Sequence, residues 1–243
     1  MPPQGDEEVE MKVQALRNYA VAFSDAEGAW PDAIKAEMKR KGMAVVLSHL
    51  GFLQRFQFGL AFWREKQRIA ALDLSGLRER GFNNDPFIAQ QVQYLALFCA
   101  LKSLFGSAKA IAICKQIMDE TADALILLLP EPADVLSFAD PFNALREYFR
   151  AGPEAARKAA AGTVVVAEDA DEVFQFDITS CIWLDLASLA GVPEACIPNC
   201  YADDLVFPQY FAALGVDYTR QSTLALGASQ CDCRFRRLAA AAG

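Results

Sequence analysis

The residues of this chain that could carry out chemistry are concentrated near its C-terminus, where five of its seven cysteines lie between positions 181 and 233. Cys181 follows a predicted strand and opens a predicted helix, and the unpaired backbone N–H groups of a helix N-terminus lower the pKa of a thiol placed there. Cys200 and Asp203 are three residues apart, so a helix places them on one face. Cys231 begins the last predicted strand. These four residues are therefore predicted to meet in one pocket beside a small sheet.

The sequence disfavours several common catalytic arrangements. It has one histidine, His49, which lies in an apolar helical stretch and is expected to be a core residue, so a Ser-His-Asp or Cys-His arrangement would have to use it. It contains no glycine-rich nucleotide loop, no HExxH pattern and no CxxC pair. Cys99 and Cys114 lie among Leu, Ala and Ile in predicted helices, and we expect both to be small core residues. The remaining candidate chemistry is that of cysteine and carboxylate.

Two other interpretations of the same residues stay open. Cys181, Cys200 and Cys231, together with Asp203, could bind zinc or an iron–sulfur cluster if the fold assembled them, because their spacing is not that of a local zinc motif. The sheet and its helices could instead form a ligand-binding or sensor module without catalysis. Arg220, Arg234 and Arg236 could each bind a substrate carboxylate through two parallel hydrogen bonds, although Arg234 and Arg236 are expected to face outward.

Composition and charge narrow the classes of partner. The 243 residues include 23 basic and 31 acidic side chains, with a net charge of −8, which disfavours a broad nucleic-acid surface. No secretory leader is visible, and the most apolar stretch, residues 42–63, contains His49, Gln54 and Arg55, which disfavours a membrane span. We therefore expect a cytoplasmic protein with reduced cysteines that acts on a small molecule. The sequence leaves the oligomeric state open.

Apolar residues recur at helical spacing through the first 150 residues. A helix over residues 7–23 is predicted by the spacing of Val9, Val13, Leu16, Ala20 and Phe23. A second helical pattern runs from residue 34 to about 71 with a break near Gly42, and it is apolar nearly all round, which is typical of a buried helix. Three further helices are predicted from their caps and prolines, over residues 87–105, 108–129 and 142–150.

Beyond residue 163 the pattern includes strands. Residues 172–179 alternate between apolar and polar side chains, which predicts a half-buried strand. Two helices are predicted after it, over residues 181–189 and 194–211. Two strands, over residues 216–226 and 231–236, should then form a hairpin. The predicted fold class is α+β, with a helical part over residues 1–150 packed on a small antiparallel sheet with flanking helices over residues 163–243, and the two parts are expected to form one compact unit.

Five stretches near the C-terminus form a recognisable series: Asp177-Ile178-Thr179-Ser180-Cys181, Leu189-Ala190-Gly191-Val192-Pro193-Glu194, Cys200-Tyr201-Ala202-Asp203, Tyr218-Thr219-Arg220-Gln221-Ser222-Thr223-Leu224-Ala225, and Cys231-Asp232-Cys233-Arg234-Phe235. The series resembles that of the L-2-amino-thiazoline-4-carboxylic acid hydrolase family. The resemblance implies hydrolytic opening of a thiazoline ring. We predict Arg220 and Thr223, which lie in the fourth stretch, as substrate-binding residues. The chain departs from the family pattern at Gln221, at Cys233 and in the turn over residues 227–230.

The leading hypothesis is a hydrolase that opens a C–N bond in a small cyclic amidine- or amide-like substrate of the thiazoline-carboxylate type. Cys181 or Cys200 would attack the ring carbon as a thiolate. Asp203 would move a proton to the leaving nitrogen. Cys231 would be a second acid or base, or a ligand. This hypothesis requires no cofactor.

Overall fold

A computed structural model of the chain describes residues 32–239, and the helix predicted over residues 7–23 lies outside the described residues. The fold class is α+β, as predicted. The helices of the first part are α1 (Asp32–Ser48), α2 (Phe52–Ala70), α3 (Ser75–Glu79), α4 (Asp85–Phe105), α5 (Ser107–Thr121), α6 (Pro132–Leu136), α7 (Pro141–Arg150) and α8 (Gly152–Lys158). A 3₁₀ helix over Ala122–Leu128 follows α5, so the helix predicted to end at residue 129 ends earlier.

Several helices start and end at the residues that signal a boundary in the sequence. The Asn84 side chain accepts a hydrogen bond from the Phe87 amide at the start of α4. In the same way the Asp140 carboxylate accepts from the Asn143 amide at the start of α7. Gly106 separates α4 from α5 with a φ of 81°, a left-handed conformation that glycine adopts without strain. These boundaries depend on residues a few positions apart, which is why the sequence predicts them.

The break predicted near Gly42 is wrong, because α1 continues through Gly42 and the chain bends at residues 49–51. A Cβ atom at Gly42 would lie 3.2 Å from the Ile117 side chain of α5. The glycine therefore serves the close approach of α1 to α5 and does not end the helix. At the actual bend, the Gln54 side chain accepts a hydrogen bond of 3.0 Å from the Gly51 amide and so caps α2.

The prediction that the stretch through α2 is buried all round is also wrong. The helix packs on α4 through Phe58 and Ile69, which are buried. Its opposite side leaves Phe52, Phe56 and Trp63 exposed. Apolar composition alone cannot show which side of a helix has a packing partner, because that depends on the neighbouring elements.

The second part contains a four-stranded antiparallel sheet in the order β1-β2-β4-β3, formed by β1 (Gly162–Asp169), β2 (Val173–Cys181), β3 (Val216–Thr219) and β4 (Cys231–Arg237). Between β2 and β3 lie α9 (Ile182–Leu189), a 3₁₀ turn over Pro193–Ala195 and α10 (Cys196–Ala213). The predicted strand over 172–179 and the two predicted helices after it are confirmed. The pairing of Ile178 with Cys231 thus places the end of β2 beside the start of β4.

Two details of the sheet differ from the prediction. β1 is an edge strand that the sequence analysis missed, and its Val165 and Val166 are exposed, so it lacks the alternating burial that reveals a strand. The strand predicted over residues 216–226 ends at Thr219. Residues 220–230 form a loop with a 3₁₀ turn at Leu224–Leu226, and this loop carries both predicted substrate-binding residues.

Buried apolar side chains form a helical cluster and an aromatic cluster. The helical cluster joins Phe98 and Ile113 of the first part to Ile182 and Leu186 of α9. The aromatic cluster covers the sheet and includes Phe142, Phe174, Tyr210, Phe211, Tyr218 and Phe235. The division into a part over 1–150 and a part over 163–243 stays a prediction. Among residues 32–239, no helix is long and apolar enough to cross a bilayer.

Candidate active site

Cys181 is the last residue of β2 and directly precedes α9. Its backbone is extended and pairs with Gly162 of β1, while its side chain is half-buried. A hydrogen bond from the Cys196 thiol lowers the pKa of Cys181, and the backbone amides of Leu184 and Trp183 lower it further against the opposing effect of burial. The thiolate therefore benefits from the helix N-terminus that the sequence predicts there.

Cys196 is a residue of the site that the sequence analysis missed. It is the first residue of α10, it is buried, and it lies one helical turn before Cys200. The Cys196 thiol interacts with both Cys181 and Cys200, and these two interactions raise the pKa of Cys196 far above its ordinary value. A neutral thiol has a single S–H donor, so Cys196 can stabilise one of the two neighbouring thiolates at a time. The Cys-x-x-x-Cys spacing was the available sequence signal.

Cys200 lies on α10 between this thiol and a buried guanidinium. The Cys196 hydrogen bond lowers the pKa of Cys200, and the positive charge of Arg220 lowers it further. Arg220 also donates from Nη2 to the backbone carbonyl of Cys200. The side chain of Arg220 is only 3% exposed. Burial and the negative charges of Asp203 and Cys181 act in the opposite direction, and the net effect is a lowered pKa of Cys200.

Asp203 is the carboxylate of the site, and Arg220 Nη1 lies 2.9 Å from its Oδ2. Burial raises the pKa of Asp203 to about 6, although the charge and hydrogen bond of Arg220 act in the opposite direction. The side chain is nevertheless 33% exposed, so it can exchange protons with water. A carboxyl group with these properties can gain and lose a proton near neutral pH.

The arginine predicted to bind substrate is engaged by protein groups in this structure. Arg220 Nη2 also donates to Asp204 Oδ1 at 2.7 Å, so both Nη atoms bind carboxylates. Its Nε is buried and has no hydrogen-bond acceptor among the described residues. The guanidinium therefore organises Cys200, Asp203 and Asp204 and keeps one buried donor available.

Thr223 is the second predicted substrate-binding residue, and it lies on the loop over residues 220–230. It is 7% exposed, and its Oγ1 has no hydrogen-bond partner among the described residues. The loop is held by Asp232, whose carboxylate accepts from the Gln221 amide at 2.9 Å and the Ser222 amide at 2.6 Å. Buried hydroxyls are normally hydrogen-bonded, so the unsatisfied Thr223 hydroxyl is an available donor on this loop.

Cys231 lies at the start of β4 and differs from the other site cysteines. It is buried, and its sulfur accepts a hydrogen bond of 3.3 Å from the Leu224 amide. Burial raises the pKa of Cys231 to about 11, and negative charge on Cys200 and Cys181 adds to this effect. Cys231 is therefore a neutral thiol near Cys181 and Cys200, suited to the role of a proton donor.

The remaining cysteines and the histidine have other surroundings. Cys99 and Cys114 are buried in the helical cluster, as predicted. Cys233 is buried in the aromatic cluster, where Tyr218 donates to its sulfur at 3.8 Å, and burial raises the pKa of Cys233 to about 12. His49 is hydrogen-bonded to Gln116 and is only partly buried, which corrects the expectation of a core position.

The turn before α10 is held by side chains from the helical part. Glu194 Oε1 accepts hydrogen bonds of 2.7 Å from both Lys102 and Ser107. Tyr94 donates at 2.7 Å to the carbonyl of Ala195, the residue directly before Cys196. These contacts join positions about 90 to 100 residues apart, so no local pattern in the sequence predicts them. They fix where α10 begins and hence where its two cysteines point.

The metal alternative finds no support in the geometry. Within the described range 32–239, no group of three or more His, Cys, Asp or Glu side chains is placed to hold a metal ion. Cys181, Cys200 and Cys231, the alternative ligands, therefore do not form a coordination set. Their sulfurs instead interact with thiol, guanidinium and amide groups.

A solvent-open groove of about 460 Å³ lies between α3 and α9 and includes Arg80, Asp185 and Leu189 in its lining. Arg80 Nη2 binds Asp185 Oδ2 at 2.6 Å in this groove. Cys181, Cys200, Asp203 and Cys231 do not line it. The groove is therefore separate from the cluster formed by Cys181, Cys200, Asp203 and Cys231.

Comparison with known proteins agrees with the C-terminal motifs. The family model described as L-2-amino-thiazoline-4-carboxylic acid hydrolase matches residues 87–235, which is more than half of the chain. The match begins within α4 and ends within β4, and so it includes every residue of the candidate site. Searches of curated proteins and of solved structures found no match.

Proposed function

Since the chain belongs to the L-2-amino-thiazoline-4-carboxylic acid hydrolase family, we propose that it hydrolyses a small cyclic amidine of the thiazoline-carboxylate type with a cysteine–aspartate site. The observation that supports this most directly is the placement of Cys196 between Cys181 and Cys200, with Arg220 and Asp203 beside Cys200. This arrangement stabilises a thiolate next to a carboxyl group that can donate a proton.

Cys200 is the proposed nucleophile, because the thiol of Cys196 and the charge of Arg220 lower its pKa and because Asp203 is on the same helix face. Its thiolate attacks the ring carbon of the amidine, and the ring C–N bond breaks as Asp203 gives a proton to the leaving nitrogen. Water then attacks the same carbon, Asp203 takes a proton from it, and the Cys200 thiolate leaves. The net change is the addition of one water molecule.

Cys181 and Cys231 have supporting roles in this scheme. When Cys200 bonds to the substrate it loses its negative charge, and the single S–H of Cys196 is then free to stabilise a thiolate at Cys181. Cys231 stays a neutral thiol because its pKa is raised to about 11. It can donate a hydrogen bond to charge that develops on the substrate.

The substrate carboxylate is assigned to the loop over residues 220–230. Arg220 Nε and Thr223 Oγ1 are both buried and lack partners within residues 32–239. Leaving a buried polar group unsatisfied costs about 1–3 kcal/mol. A carboxylate that accepts hydrogen bonds from these two donors would remove that cost, which favours an anionic substrate.

The test is a hydrolysis assay with L-2-amino-thiazoline-4-carboxylate and a panel of cyclic amides, in which mass spectrometry detects the addition of water. The ring can open at its C–N bond or at its C–S bond, and a thiol reagent distinguishes the two products. Breaking the C–N bond leaves the sulfur bonded to the ring carbon, whereas breaking the C–S bond frees a thiol. We expect Cys200→Ala to abolish turnover and Asp203→Asn to reduce kcat by about 10²–10⁴-fold.

Cys99→Ala is the matched control, because Cys99 is a buried cysteine of the helical cluster outside the site. It should retain the wild-type rate. Wild-type rates in both Cys200→Ala and Asp203→Asn would overturn the proposed site. Substrate that binds to the wild-type protein and is never converted would instead identify a ligand-binding module.

A further inference from the structure

The side of α2 that faces away from α4 is apolar and exposed. Phe52, Phe56, Leu60 and Trp63 recur at intervals of four, four and three residues, so they form one stripe along the helix. They are 95%, 75%, 61% and 61% exposed, and Leu53 beside them is 66% exposed. We call these five residues the α2 stripe. A continuous apolar surface of this kind marks a place where another element packs.

The edges of the α2 stripe are positively charged. At 100° per residue, Arg55 and Lys66 lie along one edge of the stripe and Arg64 lies along the other. The acidic residue of this helix, Glu65, is on the opposite side, where it binds Arg68 at 2.7 Å and the edge residue Arg64 at 3.2 Å, so Arg55 and Lys66 are the edge cations without a carboxylate partner on this helix. An element that covers the stripe should therefore present an apolar row and carry acidic residues.

The chain itself contains a segment that meets this description. Residues 1–31 precede α1 and include six acidic and two basic residues, of which three acidic and both basic residues lie between positions 7 and 23. Within them, the predicted helix over residues 7–23 has its own apolar row, formed by Val9, Val13, Leu16, Ala20 and Phe23. Helix α2 and the predicted helix over residues 7–23 are thus both amphipathic. No element within the described residues 32–239 packs on the α2 stripe.

The lengths of the two rows also agree. As helices, Phe52 to Trp63 span about 17 Å and Val9 to Phe23 about 21 Å. The eight residues from Ser24 to Pro31 can extend over about 26 Å, which allows the segment to fold back from the start of α1. A covalently attached segment acts at an effective concentration in the millimolar range. We infer that residues 7–23 pack on the α2 stripe within the same chain.

Hydroxyl-radical footprinting of the full-length protein tests this assignment by measuring how fast Phe52, Phe56 and Trp63 are modified. We expect slow modification in the wild type and a severalfold increase in Leu16→Asp, which places a charge in the apolar row. Asn18→Asp adds the same charge on the opposite face of the predicted helix and should leave the rates unchanged. Equal rates in all three proteins would overturn the inference.

A reciprocal variant keeps the test decisive if Leu16→Asp does not fold. Phe56 is exposed, so Phe56→Asp removes no core contact among the described residues. It should accelerate amide hydrogen exchange in peptides from residues 7–23, whereas the neighbouring Gln57→Asp should not.

Protection of the stripe that depends on protein concentration, with a doubled mass in light scattering, would show that a second copy covers it. Protection that appears only with anionic phospholipid vesicles would assign the stripe to a lipid surface, and either result would overturn the inference.

Discussion

Arg220 Nη1 donates to Asp203 Oδ2 across 2.9 Å, and this ion pair connects the loop after β3 to the face of α10 that carries Cys200. The arginine is almost fully buried, whereas one third of the aspartate remains exposed. Arg220 therefore acts on two titrating groups at once, because it lowers the pKa of Cys200 and limits the rise in the pKa of Asp203.

The first prediction concerns the dependence of stability on pH. Because the pKa of Asp203 is raised to about 6 from an ordinary value of 3.8, the folded state holds a proton that the unfolded state releases. The stability from this group is fully present below about pH 4 and is lost as the pH rises through about 6. Urea unfolding between pH 4 and 7 should therefore show a steeper decline for the wild type than for Asp203→Asn. Asp204→Asn, which also removes a carboxylate from Arg220, is the control, and parallel curves for wild type and Asp203→Asn would contradict the prediction.

The second prediction concerns the loss of the buried charge. Arg220→Gln leaves two carboxylates without their counter-ion, and we expect a loss of about 3 kcal/mol in the free energy of unfolding. Arg234→Gln removes an arginine from a more exposed pair with Glu168 and should cost at most about 1 kcal/mol. Equal losses in urea unfolding would show that the Arg220 pairs are ordinary surface contacts.

The third prediction concerns Cys196 as a hydrogen-bond donor. Cys196→Ala removes the S–H that stabilises the Cys200 and Cys181 thiolates, so alkylation of both by iodoacetamide at pH 7 should become slower. Cys196→Ser keeps a donor at the same position and should retain most of the reactivity. Peptide mapping of the alkylated sites provides the measurement. If the alanine and serine variants react alike, the hydrogen-bond role of Cys196 is wrong.

The fourth prediction separates binding from stability at Thr223. Thr223→Val replaces a buried, unsatisfied hydroxyl with a methyl group, so the free energy of unfolding should stay the same or increase. The KM for an anionic substrate should rise, because the substrate loses a hydrogen-bond donor. Thr121→Val is the matched control, since Thr121 is equally buried but donates to the Ile117 carbonyl at 2.7 Å. That variant should lose about 0.5–1.5 kcal/mol and keep its KM.

The fifth prediction concerns the contact that holds the start of α10. Tyr94→Phe removes the hydrogen bond to the Ala195 carbonyl and should cost about 0.5–1.5 kcal/mol in urea unfolding. Because this contact positions Cys196, the variant should also react more slowly with iodoacetamide at Cys200. Tyr148→Phe changes a tyrosine elsewhere in the helical part, on α7, and serves as the control for alkylation. Unchanged alkylation in Tyr94→Phe would show that the contact does not position the cysteines.

Features that depend on interactions between neighbouring residues could be predicted from the sequence. The cap at Asn84, the proline after Asp140 and the alternation over residues 172–179 act through hydrogen bonds and packing within a few positions of the chain. The family could be recognised for the same reason, because its motifs are short and local. The position of Cys181 at the junction of a strand and a helix also followed from the sequence.

Which residues from distant parts of the chain come into contact could not be predicted from the sequence. Cys196 approaches Cys181 because residues of α4 and α5 hold the turn before α10. Arg220 forms ion pairs with Asp203 and Asp204 because residues 220–230 form a loop where a strand was predicted. The exposure of the α2 stripe likewise could not be predicted from the spacing of apolar residues in the sequence. Contacts between residues many positions apart depend on how whole elements pack, and the periodicity within one element carries no information about its partner.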